Sequence, residues 1–201
     1  MCEKNYRIKE MYPTLQGEGY YTGRTVVLLR FQECNLSCSF CDTDFAGTDG
    51  PGGGVFSSPV ELAEAVAEKW PGKTGIPAVL CTGGEPLLQL DEPLVEAFHS
   101  LGFQVLLETN GTFPVPGGVD WVCVSPKSDR CLLREGDELK IVWPSEAVDP
   151  DTWAETLFGH FWLQPKYDES YEYNLRLCID RCLEDPRWRL SLQTHRYIGM
   201  P

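Results

Sequence analysis

The chain has 201 residues, and 30 Asp and Glu against 17 Lys and Arg give a formal charge of −13 with no basic run, which excludes a surface built to follow nucleic-acid phosphates or anionic lipid. Hydrophobic residues make up 42% and aromatic residues 11%, the composition of a folded module with a sizeable core and not of a disordered chain. The start, Met1-Cys2-Glu3-Lys4-Asn5-Tyr6-Arg7, has no apolar targeting segment and no stretch approaches the ~20 apolar residues of a membrane span, so a cytoplasmic protein of one domain, residues 1–201, is expected.

In chain order, Leu15-Gln16-Gly17-Glu18-Gly19 forms a turn ahead of a first β-rich run, Thr25 to Phe31. A loop follows that holds a group of cysteines and then a glycine-rich stretch, Gly47 to Gly54. Ser58-x-x-Glu61 with Pro59 behind the cap predicts a helix start, and Leu62, Val66 and Trp70 recur along it on one face. Ala78 to Thr82 reads as the second strand. A helix then begins near Asp91, carries Leu94, Val95, Phe98 and Leu101 on one face, and stops at Gly102. Further strands are expected over Phe103 to Glu108, Val119 to Val124, Leu139 to Val142 and His160 to Gln164, with a third helix over roughly Glu169 to Leu183.

Apolar strands alternating with helices imply an α/β fold with a largely parallel sheet of about six strands covered by helices. A closed eightfold barrel takes ~250 residues. The expected architecture is therefore a partial, open (βα) barrel whose missing wall comes from the substrate side or a partner subunit.

Chemistry in such sheets gathers at the carboxyl ends of the strands. The first run ends at Arg30 and leads to Cys34; the second ends in Thr82-Gly83-Gly84-Glu85-Pro86; the third in Glu108-Thr109-Asn110-Gly111. The fourth ends in Ser125-Pro126-Lys127 and the sixth in Gln164-Pro165-Lys166. Any one of these reads equally well as turn punctuation; five pointing one way mark a site.

Nine cysteines are an odd number, and cytosolic thiols stay reduced, so their spacing is read as ligand chemistry or packing. Cys34-Asn35-Leu36-Ser37-Cys38-Ser39-Phe40-Cys41 is CxxxCxxC directly after the first strand. Tight cysteine runs commonly hold iron–sulfur clusters, whereas structural zinc usually draws four ligands from two separated pairs. The next cysteine is Cys81, which leaves one iron of a four-iron cluster open to an exogenous ligand. The other reading is a zinc knuckle completed by Asp42, Asp44 or a distant cysteine. Cys178 and Cys182 read as core packing ahead of a second site, and Cys2, Cys81, Cys123 and Cys131 carry no assignment beyond packing.

CxxxCxxC followed by Asp42, then Thr82-Gly83-Gly84-Glu85-Pro86 after the next strand, resembles the radical S-adenosylmethionine (SAM) superfamily. With Gln16-Gly17-Glu18-Gly19 before them and Glu108-Thr109-Asn110-Gly111, Ser125-Pro126-Lys127 and Gln164-Pro165 after, the chain resembles the 7-carboxy-7-deazaguanine synthases along nearly its whole length. The resemblance implies a [4Fe-4S] cluster on Cys34, Cys38 and Cys41, with SAM chelating the fourth iron. It also implies an external flavodoxin-like electron donor, Mg²⁺ and a homodimer. The activity implied is a carbon–nitrogen lyase reaction toward queuosine and other deazapurines. It converts 6-carboxy-5,6,7,8-tetrahydropterin to 7-carboxy-7-deazaguanine with release of ammonia.

Roles follow from the same resemblance. Gly83, Gly84 and Glu85 would let backbone approach the SAM amino group. Phe40, Cys41 and Asp42 in the cluster loop, residues 31–54, would meet SAM together with Ser125, Pro126, Lys127, Gln164, Pro165, Lys166 and Tyr167. Arg30 suits a bidentate clamp on the substrate carboxylate. Leu15, Gln16 and Gly17 would hold the pterin, with a hydroxyl from Thr82, and either Glu108 or Glu18 would accept from its donor edge. Thr43 would ligate Mg²⁺. The tail, residues 193–201, would close the site with the Pro201 carboxylate, with His195 as a neighbour. Two competing readings are an activase that places a glycyl radical on a partner protein and a zinc-stabilised binding module without catalysis.

Overall fold

Every β-rich run named above becomes a strand of one sheet in the computed structural model, which describes residues 5–200; Cys2 and Pro201 lie outside the described residues. The elements are β1 (Tyr6–Leu15), β2 (Thr25–Phe31), β3 (Gly54–Phe56), α1 (Pro59–Lys69), β4 (Ala78–Gly83), a 3₁₀ turn (Pro86–Leu88), α2 (Glu92–Ser100), β5 (Gln104–Thr109), β6 (Trp121–Val124), β7 (Glu135–Trp143), α3 (Pro150–Trp153), β8 (Leu157–Pro165), α4 (Tyr171–Glu184), β9 (Trp188–Leu190) and α5 (Thr194–Ile198). Among the described residues the sheet has nine strands, ordered β3-β1-β2-β4-β5-β6-β7-β8-β9. From β2 to β9 every neighbouring pair is parallel. β1 runs antiparallel to both β2 and β3.

The expected six strands are thus joined by β1, β3 and β9. β1 hides from a period-two reading because a register shift between Ile8 and Glu10 breaks its alternation and because Lys9, Glu10 and Pro13 interrupt the run. β3 and β9 are three residues each, too short for any pattern. The helices begin where their caps predict: Ser58 Oγ accepts from Glu61 N, and the Asp91 side chain accepts from Leu94 N.

Alternation along the parallel strands sorts side chains to two faces. Val27, Leu29 and Phe31 of β2, Val79 and Cys81 of β4, and Val105 and Leu107 of β5 point outward and pack beneath Leu62 and Val66 of α1 and Leu94 and Phe98 of α2. Leu139, Ile141 and Leu163 do the same toward Cys178 on α4. The inner face carries an apolar floor of Val26, Ala78, Leu80 and Leu106, flanked by Tyr21 and Trp121.

One row above that floor the inner face turns polar. Arg30 lies opposite Thr82; Cys81 lies opposite Leu107, so Thr82 stands level with Glu108. Glu108 lies opposite Cys123, and Cys123 opposite Glu138. Side chains from five neighbouring strands are thereby set in line across the inner face.

The sheet curls. Thr194 N, beyond β9, donates to Gly17 O in the β1–β2 loop at 2.9 Å, and Gly19 N donates to Ser191 Oγ at 3.1 Å. Tyr20 of that loop stacks on His160 of β8 with ring centroids 4.6 Å apart. Strands are ~4.8 Å apart, so a flat sheet would hold these groups far from one another. No ladder joins β3 to β9 among the described residues, so the barrel stays open. No helix among them is long and apolar enough to cross a membrane.

Phe98, fully buried between α2 and the outer face, tests this packing. Phe98→Ala should lower the unfolding free energy by about 3–5 kcal/mol, read from the denaturant midpoint at unchanged slope. A loss under about 1 kcal/mol would mean that α2 does not anchor the sheet.

Candidate active site

The three motif cysteines stand in a loop without helix or strand between β2 and β3, all as free thiols. Side chains and backbone from four directions hold that loop. Glu33, at φ 77°, turns its carbonyl to accept from Glu85 N at 2.8 Å. A Cβ on Gly84 would sit 1.8 Å from the same oxygen, so no side chain fits there. Asn35 donates to Thr112 Oγ1 at 2.8 Å and accepts from Asn110 Nδ2 at 3.0 Å. Asp42 accepts from Arg196 Nη2 at 2.7 Å and Gln193 Nε2 at 3.1 Å. Lys9 Nζ reaches Ala46 O at 2.8 Å and Asp49 Oδ1 at 2.9 Å.

Glu85 anchors the far side of this arrangement. It is fully buried, and its two oxygens accept from Leu87 N, Thr109 Oγ1 and Asn110 N at 3.0, 2.7 and 2.8 Å. Burial pushes its carboxyl up, opposed by those hydrogen bonds. The sequence motif therefore ties the ends of β4 and β5 to the cysteine loop, and the bare Gly84 backbone is met by Glu33 before any ligand.

The loop roofs a cleft of about 710 Å³. Cys34, Cys38 and Cys41 line it, with Cys41 the most exposed. Burial pushes the Cys34 and Cys38 thiols up, and the Lys127 ammonium draws Cys38 back. Thiolates are the ligands that iron–sulfur clusters take. Among the described residues no three Cys, His, Asp or Glu side chains gather at one point suited to a single ion. Three thiols that line one cleft suit a centre in which each thiolate has its own iron.

Beneath the loop lies a buried ionic network. Lys140 of β7, with its side chain 4% exposed, donates to Glu18 Oε2 and, at 3.0 Å, to Glu108 Oε1. Glu108 also accepts from Gln16 Nε2 at 3.0 Å and Thr82 Oγ1 at 3.2 Å; Glu18 accepts from Gln193 Nε2 at 2.9 Å. Burial works against the charge on Lys140, and Glu108 and Glu18 outweigh it, so its pKa lies well above the ordinary range. Glu138 closes the floor, accepting from Trp121 Nε1 and Tyr20 N.

Most residues singled out in the sequence come together here. Leu15, Gln16, Gly17, Arg30, Thr82 and Glu108 line one side of the cleft. A Cβ on Gly17 would lie 2.0 Å from His195 Nδ1, which brings His195 into the same wall. Arg30 holds Glu10 Oε1 through Nε at 2.6 Å. Phe40, Asp42, Thr43, Gly84, Ser125, Lys127, Gln164, Pro165 and Tyr167 line the other side. Lys127 donates to Ser125 Oγ at 2.7 Å and sits 5.8 Å from the Phe40 ring centroid.

Two expected residues stand apart. Pro126 is buried behind the cleft, and Lys166 pairs with Asp168 at 3.0 Å outside it. Pro201 lies outside the described residues. Sequence reasoning missed Lys140, Gln193, Arg196 and the structural part of Glu85. Lys140 alone left a signal, a lysine inside an apolar strand.

A model of the radical SAM superfamily matches residues 28–129. The 7-carboxy-7-deazaguanine synthase of Caulobacter vibrioides is 47% identical, over 98% of this chain and 99% of that one. The protein of the same name from Bordetella pertussis is 48% identical over the same shares. The crystal structure of QueE from Escherichia coli superposes with a TM-score of 0.73 at 29% identity, covering 95% of each chain.

Glu85→Gln would turn an amide N–H toward the Asn110 or the Thr109 donor and leave buried groups unsatisfied. The variant should lose roughly 1–3 kcal/mol of stability, measured by thermal or urea unfolding of the metal-free protein. Wild-type stability would show that the carboxylate is not the anchor described.

Proposed function

This chain belongs to the radical SAM superfamily and, within it, to the 7-carboxy-7-deazaguanine synthases, and from that premise we propose how its cleft converts 6-carboxy-5,6,7,8-tetrahydropterin to 7-carboxy-7-deazaguanine with loss of ammonia. The observation that carries the reading is the inner row Arg30, Thr82, Glu108. Arg30 and Glu108 stand two strands apart, about 10 Å between backbones, with the Thr82 hydroxyl between them. A guanidinium at one end and a carboxylate at the other match a bicycle with an anionic carboxyl group on one ring and amino and N–H donors on the other.

Cys34, Cys38 and Cys41 would hold the four-iron cluster. When bound, such a cluster with SAM would supply reductive radical chemistry, its electron coming from an external flavodoxin-like donor. The chain's own residues do the placing. Arg30 fixes the carboxylate through its fork while Glu10 holds its Nε. Gln16 and Gly17 bear on the pterin from the β1–β2 loop, and Glu108 accepts from its donor edge. Lys127, Ser125 and Gln164 offer donors and acceptors to the polar parts of SAM, with Phe40 and Tyr167 flanking.

Thr43 would offer one oxygen to Mg²⁺, whose charge would favour the anionic carboxyl group of the substrate. Asp42, gripped by Gln193 and Arg196, ties α5 over the mouth and excludes water from a reactive intermediate. Pro201 lies outside the described residues, and its carboxylate is proposed to meet the substrate on the sequence resemblance alone. A carbon–nitrogen lyase is the class of the proposed reaction, and a cytoplasmic homodimer would cover the open side of the sheet.

Anaerobic reconstitution with iron and sulfide, followed by dithionite, SAM, Mg²⁺ and the carboxytetrahydropterin, tests the reading by mass spectrometry. The expected result is the deazaguanine product with ammonia. SAM cleavage without that product would overturn the substrate, and bound zinc with no cluster would overturn the radical chemistry. Arg30→Lys keeps the charge but loses the fork, so KM for the pterin should rise roughly tenfold or more at a smaller change in kcat. Residues added after Pro201 should raise the same KM; unchanged kinetics would remove the terminus from the site.

A further inference from the structure

The cation at the centre of the buried network has no place in the roles above. Lys140 stands on the inner face of β7, in register with Trp162 of β8, and lines the cleft. Its side chain is 4% exposed, so bulk water does not solvate the ammonium and its charge depends on its partners. Those partners come from distant parts of the chain: Glu18 from the β1–β2 loop and Glu108 from β5.

Both carboxylates are held on a second side as well, Glu108 by Gln16 and Thr82 and Glu18 by Gln193. A carboxylate offers about four lone-pair directions, so each retains acceptor capacity toward the cleft. Were filling of the interior the only need, an apolar side chain would serve as well or better than a buried ion pair.

We propose that Lys140 is the positioning residue of the substrate site. Its ammonium holds Glu18 and Glu108 in place so that their remaining lone pairs read the adjacent amino and N–H donors of a 2-amino-4-oxopyrimidine ring. This inference rests on the reading of the function above and adds to it the residue that sets recognition of the heterocycle. A ring lacking the amino donor would leave a buried acceptor unpaired, which is the stronger form of discrimination.

The charged and titratable groups that face Lys140 are Glu18, Glu108, Cys123, Lys127 and Glu138, with His195 bearing on Glu18. Burial raises the Glu18 carboxyl, and Lys140, Gln193 and His195 together reverse this and bring it to about 2. A lowered carboxylate is present above its pKa and lost as pH falls through it. Removing the cation therefore moves that loss toward neutral pH.

The test uses the reconstituted enzyme and pterin-6-carboxylic acid as a fluorescent probe, titrated from acid to neutral pH in wild type, Lys140→Met and Lys140→Arg. Lys140→Met should bind the probe about tenfold or more weakly at neutral pH, with its acid limb shifted upward. Lys140→Arg should recover part of the affinity, and the effect of SAM on the reduced cluster's electron paramagnetic resonance signal should persist in both. Wild-type affinity and an unmoved acid limb in Lys140→Met would overturn the proposal. If Lys140→Met fails to fold, the variant E18Q/K140M removes the two charges together, and wild-type binding of the probe by that protein would overturn it equally. A wild-type enzyme that does not bind the probe would instead overturn the substrate assigned above.

Discussion

A parallel sheet that curls without closing leaves a concave face whose upper rows are neither solvent nor core, and the remainder of this molecule answers that constraint. Below, Val26, Ala78, Leu80 and Leu106 make the concavity apolar. Above, the register sets Arg30, Thr82, Glu108, Cys123 and Glu138 in one row, where each bare charge is costly. Each is met by a group from outside its own strand: Arg30 by Glu10, Glu108 by Lys140 and Gln16, Glu138 by Trp121 and Tyr20. The β1–β2 loop folds inward and brings Gln16 and Tyr20 to that row, and the tail is joined to the loop through Gln193, which donates to Glu18.

The cysteine loop solves a second problem with the same means. Residues 32–53 have no strand or helix to hold them, yet they bring three cysteines to one cleft. Glu33, Asn35, Asp42 and the segment around Ala46 are each bonded to a different neighbour, namely the turn after β4, the turn after β5, α5 and β1. Precise first ligands need such supporting contacts. Here they are satisfied by the protein itself.

The two halves of the cleft are joined through one amide. Gln193 Nε2 donates to Glu18 on the substrate side and to Asp42 beside the last cysteine, while its Oε1 accepts from Arg196 Nε. A displacement of α5 is felt by both halves together. That is the physical basis on which a tail that otherwise frays becomes part of the cleft wall.

Much of this was legible in the chain. The six runs, the capped helices, CxxxCxxC and the polar strand ends are local patterns, because a helix cap, a period-two alternation and a ligand spacing each lie within a few residues. β1 was not legible, since its bulge breaks the alternation, nor was the second duty of Glu85, whose hydrogen-bond partners at Thr109 and Asn110 lie two dozen residues on. By itself the sequence determined the fold class and the side of the sheet to which the cysteine run and the polar strand ends come. Only the tertiary structure decided that Lys140 stands between Glu18 and Glu108, that His195 presses on Gly17, and that Lys166 turns away to Asp168. Such contacts join residues up to 178 positions apart in number, from Gly17 to His195, and depend on how far the sheet curls, a property of all its strands together that no local pattern encodes.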